Sequence, residues 1–235
     1  MPAILIRDFW NDFWRKADKS MGGLDFPRLY AILDRACFAG ESDATAAMAQ
    51  FARALMAGGT TLIQYRNKTG NVREMLSQAR ELRRVGLDGT AGASVRLIMN
   101  DRADLCLAAD FDGVHVGQED LSSAAARRIL GDSRWLGVST HNPEQVSEAE
   151  QWPVDYIAVG PVFATASKAN LDPVIGLEGV RTARRLTRKP LIAIGGITRG
   201  NCRSVIDAGA DSVAVIADLL RDPKASAEEF LRILS

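Results

Sequence analysis

The chain has 235 residues, of which 47% are hydrophobic and 25% charged, and its 29 basic and 29 acidic side chains cancel. That balance removes any global field drawing the protein to nucleic acid or an anionic membrane, so anion binding has to be local. No apolar run is long enough to span a bilayer, and the N-terminus lacks a signal peptide's uninterrupted apolar core, so no membrane partner is expected. Cys37, Cys106 and Cys202 are far apart and show no metal-ligand spacing. They read as buried structural thiols in a reducing, cytoplasmic compartment.

From the N-terminus, Ile4 to Lys16 alternates Leu5, Ile6, Phe9, Trp10, Phe13 and Trp14 with charged and polar residues at helical spacing. Residues 1–25 are set apart as a short amphipathic extension without an assigned function. Docking on the domain or a partner, a mobile tail ending at Gly22-Gly23, membrane-surface binding and a true start at Met21 all remain open. Residues 26–235 form one domain with a single rhythm. Strands are expected at 29–33, 61–65, 96–99, 113–116, 135–138, 156–159, 191–194 and 212–215. Helices are expected at 44–57, 72–85, 103–108, 123–130, 143–151, 177–186, 199–208 and 225–234. Alternation at this spacing implies parallel pairing through right-handed crossovers, and eight such units close a (β/α)8 TIM barrel. The rival, an open doubly wound sheet, would want a glycine-rich turn after the first strand, where Asp34-Arg35-Ala36-Cys37 stands instead. Three small-residue turns, 57–60, 109–113 and 208–211, lead from helices into strands on the face that serves stability. The polar stretch 164–175 is an insertion on the opposite face.

The active face of such a barrel lies at the C-terminal strand ends. Gln64, Arg66 and Lys68 alternate along an extended segment, so an amide, a guanidinium and an ammonium share one side, suited to a diphosphate or else to a solvated loop edge. Asp101 and Asp120 follow adjacent strands. They read as a Mg2+ pair completed by phosphate oxygens, or as helix N-caps, and the two roles do not exclude each other. Gly195-Gly196 and the backbone near Ile216-Ala217 stand where barrels commonly hold a phosphate. Lys168, beside Thr165 and Ser167, suits phosphate capture or lid closure. His115 reads as a packed residue, and His141 as either a proton-transfer group or a polar opening to the next helix.

At these positions the sequence resembles the thiamine-phosphate synthase family. The resemblance rests on Gln64-Tyr65-Arg66-Asn67-Lys68, Asn100-Asp101-Arg102, residues 113–120, Gly137-Val138-Ser139, residues 155–163, Thr165-Ala166-Ser167-Lys168 and Ile194-Gly195-Gly196-Ile197, in family order. It implies a transferase that condenses 4-amino-2-methyl-5-(diphosphooxymethyl)pyrimidine with 4-methyl-5-(2-phosphooxyethyl)thiazole, or its carboxylated form, to give thiamine phosphate and diphosphate. By the same resemblance Gln64, Tyr65, Arg66, Asn67, Lys68, Asn100, Ser139 and Lys168 bind the pyrimidine diphosphate, with Arg66, Lys68, Ser139 and Lys168 assisting the reaction. Thr165, Ala166, Ser167, Gly196, Ile216 and Ala217 hold the thiazole phosphate, and Asp101 and Asp120 hold Mg2+. Ser139-Thr140-His141 also resembles a paralogous thiazole tautomerase that uses a histidine at this place, which leaves an isomerase built on His141 as the alternative. The expected partners are small-molecule substrates, and a homo-oligomer is left open.

Overall fold

The computed structural model describes residues 26–87, 95–165 and 172–235. The amphipathic extension, and Ala166, Ser167 and Lys168 of the insertion, lie outside the described residues. Eight parallel strands close into a barrel in sequence order: β1 (Leu29–Asp34), β2 (Leu62–Arg66), β3 (Arg96–Asn100), β4 (Gly113–Val116), β5 (Trp135–Thr140), β6 (Tyr156–Val159), β7 (Leu191–Ile194) and β8 (Ser212–Val215). Around them run α1 (Ala44–Ala57), α2 (Val72–Leu87), α3 (Ala103–Ala108), α4 (Ser123–Leu130), α5 (Pro143–Glu150), α6 (Gly176–Leu186), α7 (Cys202–Asp207) and α8 (Pro223–Leu234).

The expected barrel is the observed one, with shifts at polar element ends. β1, β2, β3 and β5 each run one or two residues further than their apolar cores, because Asp34, Arg66, Asn100 and Thr140 continue the ladder toward the mouth. α7 is shorter than expected: the Asn201 side chain accepts the Thr198 amide at 2.8 Å, which holds 198–201 as a turn. Two 3-10 turns follow strands directly, Arg35–Phe38 after β1 and Ala217–Leu219 after β8.

The core has two layers, as parallel strands buried on both faces require. The larger lies between the strands and helices. The smaller fills the barrel interior with Tyr30, Ile32, Leu62, Ile98, Tyr156, Ala158, Ile192 and Ala214, plugged from below by Phe26. The Phe26 ring stacks on Trp135 at 5.2 Å, and the Arg96 guanidinium lies over the Trp135 ring at 4.3 Å. Cys106 and Cys202 are buried as expected, whereas Cys37 is exposed. The expectation failed there because Cys37 sits on the 3-10 turn, which the apolar neighbours in sequence do not cover.

On the lower face one device recurs. The residues before β4, β6 and β8 are Asp112, Asp155 and Asp211. Their carboxylates accept the amides of Leu97, Leu136 and Leu191 on the preceding strands at 2.7, 2.7 and 2.8 Å. Each carboxylate also takes an arginine from an even-numbered helix, Arg83 at 3.0 Å, Arg127 at 2.7 Å and Arg184 at 2.7 Å. These clamps pin the register of neighbouring strands, and with it the heights at which side chains reach the opposite rim. Gly59 (φ 89°) and Gly209 (φ 111°) make the tight turns into β2 and β8 that lead into this face.

The interior admits little change. A Cβ on Gly137 of β5 would stand 2.0 Å from the Tyr156 ring, whereas one on Gly40 would meet nothing within 4 Å. Gly137→Ala is therefore expected to lower stability by about 1–3 kcal/mol, as overpacking does, with Gly40→Ala within about 0.5 kcal/mol of the parent. Denaturant melts of both variants check this.

Candidate active site

The upper rim encloses a cavity of about 450 Å³ lined by residues from β1 to β8, among them Gln64, Arg66, Lys68, Asn100, Asp101, Asp120 and Ser139. A second cavity of about 120 Å³, lined by Thr165, Gly195, Gly196, Ile216, Ala217 and Asp218, opens beside it. His141, Asp172, Ile194, Ala214 and Ile216 line both, so the two form one mouth with two chambers.

In the first chamber Gln64, Arg66 and Lys68 share one side, as strand alternation requires. Tyr65 and Asn67 fall on the other. The Tyr65 hydroxyl donates to Gln78 of α2 at 2.7 Å. Asn67 accepts the amides of Thr69 and Gly70 at 3.0 and 2.7 Å, which shapes the loop leaving β2. These two side chains support the segment, while its alternate members face the chamber. Arg66 is ion-paired to Asp34, its partner in register on β1. Asp34 also accepts the Ala36 amide at 3.0 Å, so it holds the guanidinium from a fixed carboxylate. Sequence reasoning missed Asp34, although a lone acid ending a strand beside a functional arginine was a readable signal.

Asp101 has φ 61°, a left-handed conformation that aspartate tolerates better than most residues, and its amide donates to the His115 carbonyl at 2.8 Å. This turn brings its carboxylate to Asp120, whose own Oδ2 accepts the Gly117 amide at 2.8 Å. Lys68 completes the group, ion-paired to Asp101 and 3.9 Å from Asp120. Burial, then the hydrogen bond with Asp120, pushes the Asp101 carboxyl up against the pull of Lys68. Burial also opposes charge on Asp120, but the hydrogen bonds from Asp101 and Gly117, with Lys68, outweigh it and hold that carboxyl below its ordinary value. Neither aspartate is a side-chain cap: α3 begins after Arg102 without a capping bond, and α4 is capped by Ser122.

Two carboxylates this close suit a divalent cation, and few protein ligands are enough when phosphate oxygens supply the rest. Asn100 lines the chamber beside them, and its Nδ2 is buried with no hydrogen-bond partner among the described residues. Among the described residues no cluster of three or more His, Cys, Asp or Glu side chains makes an all-protein metal cage. The residues therefore fit an ion shared with a polyanionic ligand.

The second chamber is backbone-rich. Gly195 (φ 102°) and Gly196 (φ 63°) pass so close to the loop after β6 that a Cβ at either would stand 2.5 Å from it. Asn201 donates to the Gly196 carbonyl at 3.0 Å and fixes the turn. Asp218 does not offer a bare charge to the chamber: Arg199 forks it at 3.0 and 3.1 Å, gives it its own amide at 2.8 Å and reaches Glu229 at 2.9 Å. His141 sits between the chambers, its Nδ1 2.7 Å from the Gly160 carbonyl and 3.5 Å from Asp172. That carbonyl can only accept, so Nδ1 carries the proton.

The family profile described as thiamine monophosphate synthase matches residues 29–219. The chain belongs to this family. It is 60% identical over 212 residues to the thiamine-phosphate synthase of Koribacter versatilis (strain Ellin345), covering 90% of this chain and 98% of that protein. It is 41% identical to the thiamine-phosphate synthase of Chloroflexus aurantiacus (strain ATCC 29366 / DSM 635 / J-10-fl), over 88% of this chain and 93% of that protein. Among solved structures, the thiamine phosphate pyrophosphorylase from Pyrococcus furiosus superposes with a TM-score of 0.76 at 33% identity, covering 88% of this chain and 95% of that one. The site residues that the family resemblance implies and that fall on described residues line one or the other chamber, apart from the outward-facing Tyr65 and Asn67.

The first chamber should bind inorganic diphosphate in the presence of Mg2+. Lys68→Met and Asn100→Leu are each expected to weaken that binding by about 1.5–3 kcal/mol, the range for losing a hydrogen bond to a charged group. Isothermal titration reads it directly, and unchanged affinity in both variants contradicts the assignment of this chamber.

Proposed function

We propose that this barrel condenses the pyrimidine methyl diphosphate with the thiazole phosphate, giving thiamine phosphate and diphosphate, with the leaving group in the first chamber and the acceptor in the second. The observation that carries the reading is the convergence of Lys68, Asp101 and Asp120 at adjacent strand ends beside the unpartnered Asn100 amide. Family membership supports the reaction class.

Asp101 and Asp120 would hold Mg2+, which when bound supplies positive charge to the diphosphate. Lys68, Arg66 and the Asn100 amide donate to diphosphate oxygens, and Lys168 of the insertion joins them from outside the described residues. The bond from the pyrimidine methylene to oxygen breaks and its electron pair leaves with diphosphate. The resulting benzyl-like cation is stabilised by the ring amino group, and the thiazole nitrogen lone pair forms the new bond. No proton moves in that exchange, so the protein's work is positioning and charge neutralisation. Gly195, Gly196 and the backbone at Ile216-Ala217 seat the thiazole phosphate together with Thr165, and Ala166 and Ser167, given the same role by the resemblance, lie outside the described residues. Free thiols at Cys37, Cys106 and Cys202 support a reducing, cytoplasmic setting, and among the described residues no helix is long and apolar enough to cross a membrane.

His141 is not favoured as the centre of an isomerase, since its Nδ1 is committed to Gly160 and the chamber it borders is lined by Gln64, Arg66, Lys68, Asn100, Asp101, Asp120 and Ser139. Incubation with both phosphorylated heterocycles, followed by diphosphate release, tests the proposal. Release should require Mg2+, and Asp120→Ala should lower kcat/KM by roughly 10²–10³, the scale for losing one charge-stabilising group, with His141→Ala far milder. Metal-independent turnover, or the opposite order of the two variants, would overturn it.

A further inference from the structure

At the floor of the first chamber, five side chains form one hydrogen-bonded line across the barrel. Gln64 Nε2 donates to the Tyr30 hydroxyl at 2.8 Å, and the Tyr30 and Tyr156 hydroxyls are 3.0 Å apart. His115 Nδ1 is 3.1 Å from the Tyr156 hydroxyl, and His115 Nε2 is 2.8 Å from Ser139 Oγ. Gln64, Tyr30, His115 and Ser139 line the chamber, with Gln64 on β2 and Ser139 on β5 at the two ends. Tyr156 does not line it: the ring is fully buried, stacked on His115 at 5.5 Å and packed on Phe26 at 5.2 Å.

The direction of this line follows from what each group can donate. An amide nitrogen only donates, so the Tyr30 oxygen accepts from Gln64 and its proton goes to its other partner, Tyr156. Tyr156 then donates to His115 Nδ1. With Nδ1 accepting, the ring N–H lies on Nε2 and is directed to Ser139 Oγ. Burial pushes both phenols well above their ordinary values, so they remain neutral donors throughout. At the ends, Gln64 is left with its carbonyl oxygen for a ligand, and Ser139 with its hydroxyl proton.

We propose that Tyr156 is a positioning residue that sets the polarity of the pyrimidine chamber, so that β2 presents an acceptor and β5 a donor. The ligand that matches carries an N–H donor toward β2 and an acceptor, a ring nitrogen or a phosphate oxygen, toward β5. An aminopyrimidine diphosphate has both. An oxo analogue, with a carbonyl in place of the amino group, meets the Gln64 carbonyl with an acceptor and is rejected. This deepens the reading above and rests on it for the identity of the ring.

The chain has two histidines, and they are expected in opposite tautomers. His141 carries its proton on Nδ1, facing Gly160, and His115 on Nε2, facing Ser139. Nitrogen-15 spectra of histidine-labelled protein resolve them without substrate. In Tyr156→Phe, which keeps the ring and removes the hydroxyl, His115 should lose its single tautomer. The KM for the pyrimidine diphosphate should rise about fivefold to tenfold, the value of one neutral hydrogen bond, with the KM for the thiazole phosphate unchanged. Tyr30→Phe is the second variant: it frees Gln64 and should raise the same KM while leaving the His115 tautomer intact. Wild-type His115 protonated on Nδ1, or a Tyr156→Phe protein with the parent tautomer and KM, would overturn the proposal. A wild-type protein that turns over no pyrimidine diphosphate would instead remove the reading of function, and the tautomer result would still decide the direction of the line.

Discussion

Closing eight short strands into a ring leaves the interior no freedom of register, and the geometry of the mouth follows from that constraint. The strands are four to six residues long, so each delivers only its last one or two side chains to the upper rim. A slip of one residue would turn Gln64 and Arg66 toward the helices and Tyr65 into the chamber. The three aspartate clamps on the lower face resist such a slip by fixing the starts of β3, β5 and β7, each to the residue just before the following strand. Precision at the top is thus set by backbone amides and arginines at the bottom, about one strand length away.

The consequence at the rim is a division of labour. Charge is concentrated where β2, β3 and β4 end, with Lys68 among two carboxylates and Arg66 held by Asp34. The ends of β7 and β8 carry glycine and exposed backbone instead, and their one acid is neutralised by Arg199. A polyanion that must leave and a phosphate that must only be held make different demands. The first needs strong, local positive charge, and the second a shaped seat. The buried line from Gln64 to Ser139 lies below the charged half and is made of neutral groups, which suits recognition of an uncharged ring.

Much of this was legible in the sequence, because period, turn chemistry and strand-end polarity are local. The alternation of Gln64, Arg66 and Lys68 gave their shared side, and the turns at 57–60 and 208–211 marked the ends of α1 and α7. The rest depended on which strands become neighbours. Tyr30 and Tyr156 look like core aromatics until closure sets their hydroxyls 3.0 Å apart across 126 residues of chain. Asp34 gained its role from register with Arg66, and His115, read as packed, is packed and also hydrogen-bonded at both nitrogens. Cys37 was misjudged because a 3-10 turn exposes a residue whose sequence neighbours are apolar. Tyr65 and Asn67 belong to the family motif but serve the segment's shape, a distinction that only the outward contacts to Gln78 reveal.

The central claim is that the two chambers act on different substrates. Separate KM values for the pyrimidine diphosphate and the thiazole phosphate in Lys68→Met and Gly196→Ala test it most directly. A Cβ at Gly196, which lines the second chamber and not the first, would press to 2.5 Å from the Ala164 carbonyl at a φ of 63°. The account predicts a crossed pattern: Lys68→Met raises the KM for the pyrimidine diphosphate and spares the other, and Gly196→Ala does the reverse. If both variants shift both constants together, the chambers are not independent seats and the account is wrong.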